Sequence, residues 1–171
     1  DFIKLMNNKF EDMTYVFHSI NEHSQLIQSL INESGLSNCE VVSDDKIKSH
    51  ILQKSVFAVA KSGTVSLEIS NAKIPAITLY KMGFINFLIV KTLVKIKYAN
   101  VINFAANEEI IPELLQSKCN SKNIFNNVCN FLESPNKIKN QVEKVQKILN
   151  ELKTNGSSSE LASLSLNKFL S

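Results

Sequence analysis

The residues best placed to do chemistry are Ser62, Gly63, Thr64 and Glu68, which follow the apolar run Val56-Phe57-Ala58-Val59-Ala60. A strand that feeds a small-residue turn and then a helix leaves the first helical N–H groups without intrahelical partners. The helix dipole points its positive end outward at the same place, so an anion is stabilised there without a metal. Glycine lets the backbone approach a phosphate closely. Thr64 and Glu68 lie four residues apart on one helical face, roughly 6 Å of rise, which suits a carboxylate reaching ribose hydroxyls while the helix end holds a diphosphate. Glu68 cannot close a capping box with Thr64, because that motif needs a three-residue offset. The same residues also read as a plain turn followed by a solvated helical glutamate, and one small-residue turn after a strand does not decide between the two.

Alternating elements are expected to position these residues. A helix opens the chain through Phe2 to Met6, and Met13 to Phe17 reads as a short buried strand. His23 to Glu33 carries Leu26, Ile27, Leu30 and Ile31 at helical spacing and is ended by Gly35. Cys39 to Val42 is a second strand; Asp44 and Asp45 supply the acidic first turn of a helix whose face holds Ile47, Ile51 and Leu52. After the Val56 to Ala60 strand come a helix over Val65 to Asn71 and a strand over Ala76 to Leu79, introduced by Pro75. Strands apolar on both faces, alternating with helices, predict an α/β fold with a parallel sheet. Beyond residue 105 helices are expected over Glu109 to Gln116, Ser121 to Leu132 and Lys137 to Lys153. A polar break over residues 154–159 then precedes a last amphipathic helix through Leu161, Leu164 and Phe169. The chain starts at Asp1 directly in a helical pattern with no clear cap, which suggests a domain truncated at its start.

Composition narrows the chemistry. The 171 residues are 44% hydrophobic and 20% charged, the profile of a globular domain with a core. A net charge of +3 with no dense basic stripe argues against a nucleic-acid partner and stays compatible with small phosphate-bearing ligands. Cys39, Cys119 and Cys129 form no paired metal motif or disulfide framework, and His18, His23 and His50 are not spaced as ligands, so neither a metal nor another cofactor is expected. The longest apolar run, Phe84 to Val90 broken by Asn86, is far short of the roughly 20 residues that span a bilayer. The basic, apolar stretch Phe84 to Lys95 suits either a membrane interface or a packed helix with snorkelling Lys91 and Lys95.

Four ordered blocks carry a family resemblance: Ala60 to Glu68; Pro75 through Tyr80-Lys81-Met82; Leu93-Val94-Lys95-Ile96-Lys97-Tyr98-Ala99-Asn100-Val101-Ile102-Asn103; and Ile111-Pro112-Glu113-Leu114-Leu115-Gln116. In this order they resemble lipid-A-disaccharide synthase, over essentially this whole chain but only the later half of the family's length. The resemblance implies a Rossmann-like donor-binding domain of the two-domain GT-B glycosyltransferase architecture. Residues 1–153 would form that domain and 154–171 a linker and C-terminal helix, which would pack on the acceptor domain or in a homodimer. It implies that Ser62, Gly63, Thr64 and Glu68 hold the UDP part of the donor and that Asn103 lines the same cleft. The implied substrates are UDP-2,3-diacylglucosamine and 2,3-diacylglucosamine 1-phosphate, and the implied location is cytoplasmic, peripheral on the inner membrane. An N-terminal acceptor domain, with the catalytic carboxylates, would precede Asp1, so no catalytic residue is assigned in this chain.

The family usually has proline before the asparagine and a glycine and a basic residue a few positions later, where this chain has Ile102, Asn107 and Glu108. That leaves a cation near the donor in question. Two alternatives are another UDP-sugar enzyme of the same fold and an inactive nucleotide-binding remnant of a split gene.

Overall fold

The computed structural model describes residues 1–61, 63–83 and 97–152. Among the described residues, five short strands, β1 (Tyr15–His18), β2 (Cys39–Val42), β3 (Ala58–Lys61), β4 (Ala76–Tyr80) and β5 (Glu113–Leu115), are all paired in parallel. Helices α1 (Phe2–Asn7), α2 (Asn21–Glu33), α3 (Asp45–Lys54), α4 (Val65–Asn71), α5 (Val101–Ala106), α6 (Ser121–Leu132) and α7 (Pro135–Leu152) alternate with them or follow them. The result is a mixed α/β structure with parallel sheets, as a Rossmann-like fold requires.

Local chemistry sets several boundaries. Asp44 accepts from the Lys46 N–H at 2.8 Å to cap α3, Asn100 accepts from the Ile102 N–H at 2.9 Å to cap α5, and Asn120 does the same for α6 from Asn123 at 2.9 Å. Apolar spacing then decides which helix covers which part of the sheet. Met6 of α1, Ile77 of β4, Leu114 of β5 and Val128, Cys129 and Phe131 of α6 form one core cluster. Ile69 of α4 packs with Ile74 and Ala76, backed by Ala58 and Ala60 of β3. Ile102 of α5 packs with Ile111 and with Val145 and Leu149 of α7. Gln141 of α7 fastens this side to the sheet: its amide accepts from Ala76 N at 2.8 Å and donates to Ala76 O at 3.0 Å and Ile110 O at 3.1 Å.

Strand pairing divides into two sheets, β1-β2 and β3-β4-β5, and among the described residues no ladder joins them. They share a core nonetheless, since Tyr15 and Phe57 both pack against the Met6 and Ile77 cluster. β4, at the centre of its sheet, buries Ala76, Ile77 and Thr78 on both faces, as a parallel strand should. β1 and β3 do not follow the expectation of strands buried on both faces: they alternate, leaving Val16 at 39% and Val59 at 40% exposure.

The expected helix over Glu109 to Gln116 is instead a loop, then β5, then a 3-10 turn over Gln116–Lys118. Pro112 lacks the N–H a helix would use, and its carbonyl accepts from Thr78 N at 2.9 Å, which draws the segment onto β4. The short helix α5 was not expected, and β1 begins at Tyr15 rather than Met13. Ser62, the basic stretch over 84–95, the polar break and the last helix lie outside the described residues.

Candidate functional site

The carboxyl end of β3 leads into the turn at Gly63, whose φ of +153° is an angle L side chains rarely adopt. A Cβ placed there would meet nothing within 4 Å, so it is the backbone angle rather than space that calls for glycine. Thr64 is already in the right-handed helical region and makes no side-chain cap bond. The turn is fastened by Ser66 instead: its N–H and its Oγ both donate to Gly63 O, at 3.1 and 2.6 Å. Ser66 is buried, whereas Gly63, Thr64 and Glu68 are exposed together on the surface. Glu68 Oε2 forms an ion pair with Lys48 Nζ, which comes from α3, the helix before β3 in the chain.

This edge is where an α/β sheet presents a ligand site. β3 ends here and α4 begins here, Lys48 of α3 reaches the same place, and the crevice outside the carboxyl ends of parallel strands is the usual binding place in such folds. Lys48 carried no signal in the sequence. Its pairing with Glu68 joins two helices separated by a strand, and no local spacing encodes that.

Asn103 has a different setting. It is fully buried, and its amide is consumed: Nδ2 donates to Ile111 O at 2.6 Å and to Glu113 Oε1 at 2.8 Å, while Oδ1 accepts from Ile110 N at 2.9 Å and Ile111 N at 2.8 Å. Glu113, 9% exposed, accepts further from Ala99 N at 2.8 Å and Asn100 N at 3.1 Å. The pair thus welds the entry of α5 to the start of β5. Beside it lies an open cavity of about 440 Å³ bordered by Lys97, Tyr98, Glu109, Glu113, Gln116 and Lys118, and none of Gly63, Thr64, Glu68 or Asn103 lines it. Gln116, at φ +50°, accepts from Met82 N at 3.1 Å and so ties the end of β5 to the end of β4.

Each departure from the family pattern has a structural use. Ile102 is wholly buried in the α5–α7 cluster. Asn107 sits at φ +49° as the left-handed C-cap of α5, the conformation glycine serves and asparagine tolerates best among the other residues. Glu108 pairs with Lys144 of α7 and donates its N–H to Asn103 O at 3.2 Å. It follows α5 and precedes β5, so it belongs to the end of the sheet where β5 begins, opposite the Gly63 turn.

Burial pushes the thiols of Cys39 and Cys129 up, which disfavours their thiolate forms. Among the described residues no cluster of three or more histidine, cysteine or carboxylate side chains could hold a metal, and no helix is long and apolar enough to cross a membrane.

With this geometry in hand, comparison with known proteins gives a consistent result. The chain matches the lipid-A-disaccharide synthetase family over residues 1–166. It is 35% identical over 153 residues to the lipid-A-disaccharide synthase of Rickettsia prowazekii (strain Madrid E), an overlap of 89% of this chain and 40% of that protein. Against the synthase of Rickettsia canadensis (strain McKiel) it is 36% identical over 155 residues, covering 89% of this chain and 40% of that protein. A shorter overlap with the Rickettsia conorii (strain ATCC VR-613 / Malish 7) synthase, 95 residues at 44% identity, covers 56% of this chain and 21% of that protein. The chain therefore spans about two-fifths of the length of the first of these relatives. Since the match runs through β3, the Gly63 turn, α5 and β5 alike, the chain belongs to the lipid-A-disaccharide synthetase family.

Proposed function

We propose that this chain is the nucleotide-sugar-binding half of a lipid-A-disaccharide synthase of the two-Rossmann-domain, GT-B architecture. Residues 1–153 form the donor domain. The reaction transfers a diacylglucosamine unit from UDP-2,3-diacylglucosamine to the 6-hydroxyl of 2,3-diacylglucosamine 1-phosphate and releases UDP. The observation that carries this reading is the exposed triad of Gly63, Thr64 and Glu68 at the carboxyl end of β3, in a family member. Ser62, Gly63 and Thr64 hold the diphosphate against the start of α4, and Glu68, one turn along, accepts from the ribose hydroxyls.

This half contributes leaving-group stabilisation: fixed dipoles aimed at the diphosphate lower the energy of the charge that builds up as the glycosidic bond breaks. The general base and the acceptor site belong to an acceptor-side domain, with the assembly lying against the cytoplasmic face of the inner membrane, where its acylated substrates reside. Asn103 acts as scaffold in this reading, holding Glu113 and the entry to α5 where β5 begins.

Calorimetric titration of the protein, including any encoded upstream segment, with UDP tests the reading. The expected result is binding that is unchanged by a chelator, because the proposed site relies on backbone and carboxylate rather than a metal. Binding abolished by chelator would overturn it.

A further inference from the structure

Resting on the nucleotide-binding reading above, we propose that Lys48 is the positioning residue for the Glu68 carboxylate, holding it in the rotamer that meets the ligand's ribose. Both side chains stand on the fourth residue of their helices, Lys48 in α3 just before β3 in the chain and Glu68 in α4 just after it, and the ion pair brings them together. Their exposures differ: the Lys48 side chain is 20% exposed and that of Glu68 47%. The lysine is the more enclosed member and the carboxylate the one offered to solvent. Nζ engages Oε2, and among the described residues Oε1 keeps its lone pairs for another donor.

An ion pair this exposed adds little to folding stability, so its consequence lies in geometry. A glutamate free to sample its rotamers must be ordered when a ligand binds, and that ordering subtracts from affinity. The ammonium removes the cost in advance while leaving one carboxylate oxygen for vicinal hydroxyls. Lys48 touches the carboxylate and acts through it.

The test compares UDP, uridine and inorganic diphosphate as ligands for the protein with its encoded upstream segment, in the Lys48→Met, Lys48→Arg, Glu68→Ala and Lys48→Met/Glu68→Ala variants. Lys48→Met is expected to weaken UDP and uridine about two- to tenfold, the effect of freeing one rotamer-rich side chain, and to leave diphosphate unchanged. Lys48→Arg should restore most of the affinity, and Lys48→Met should add nothing in the Glu68→Ala background. A merely structural lysine would not separate ribose-bearing ligands from diphosphate. If Lys48→Met lowers the unfolding midpoint, Lys48→Gln carries the same comparison. Unchanged uridine affinity, an equal loss for diphosphate, or full additivity with Glu68→Ala would each overturn the proposal. If the unaltered protein binds no UDP, the nucleotide-binding reading itself fails and takes this one with it. If UDP binds and Lys48→Met has no effect, only the positioning role falls.

Discussion

Two regions of this molecule handle polar groups in opposite ways. Around Asn103, four hydrogen bonds from one amide and three accepted by Glu113 close a knot that is almost entirely out of water. Around Gly63, the fastening is done from beneath by buried Ser66, and Thr64 and Glu68 are left at the surface, where the Glu68 side chain pairs with Lys48. Buried polar groups cost free energy unless partnered, whereas exposed ones cost nothing to leave available. The contrast separates residues that hold the scaffold from residues that can meet a ligand, though both kinds sit in equally distinctive family blocks.

The largest effect expected from breaking this contrast is that of Asn103→Ala. It orphans the N–H and the carbonyl of Ile111 in a buried site and takes one donor from the Glu113 carboxylate, a loss on the order of 3 kcal/mol at about 1–3 kcal/mol for each orphaned group. Denaturant unfolding reads it as a lowered midpoint at unchanged slope. A small stability loss together with a large loss of UDP affinity would move Asn103 to the ligand side of the comparison.

Glu68→Ala should behave in the reverse manner. Stability is expected to stay within about 0.5 kcal/mol, as for surface substitutions generally. UDP binding should weaken by about 1.5–3 kcal/mol, the range for a charged hydrogen-bond partner, with inorganic diphosphate little affected. Equal losses for the two ligands would return Glu68 to the reading of a solvated helical residue.

The smallest effect is that of Asn107→Gly, which relieves the left-handed strain at the end of α5 and should raise stability by about 0.5 kcal/mol in a thermal melt. A lower midpoint would show that the asparagine side chain itself is used there.

How much of this was legible in the sequence differs between the same two regions. The strand, turn and helix around Gly63 follow from an apolar run, a glycine and a helical stripe, and β3 and α4 stand close to the positions those signals give. β5 was hidden because Glu113, Leu114 and Leu115 are good helix formers, and only pairing with β4 overrides that preference. Asn103 was identifiable as a distinctive residue, but sequence reports that an amide is present and not where its four hydrogen bonds go. Lys48 was invisible for a related reason: its partner lies beyond a strand in the chain, twenty residues on.

The left-handed cap at Asn107 has a consequence at the level of codons. Glycine codons begin with two guanines and asparagine codons with two adenines, so a genome drifting toward adenine and thymine presses steadily on any glycine it encodes. At most positions where glycine is needed for its backbone angle, that drift meets steric resistance. At this helix end the route can pass through aspartate, and both aspartate and asparagine visit the left-handed region more readily than other side-chain-bearing residues. The cap of α5 is thus a place where mutational bias can change a residue the fold would otherwise hold, at a cost small enough to persist.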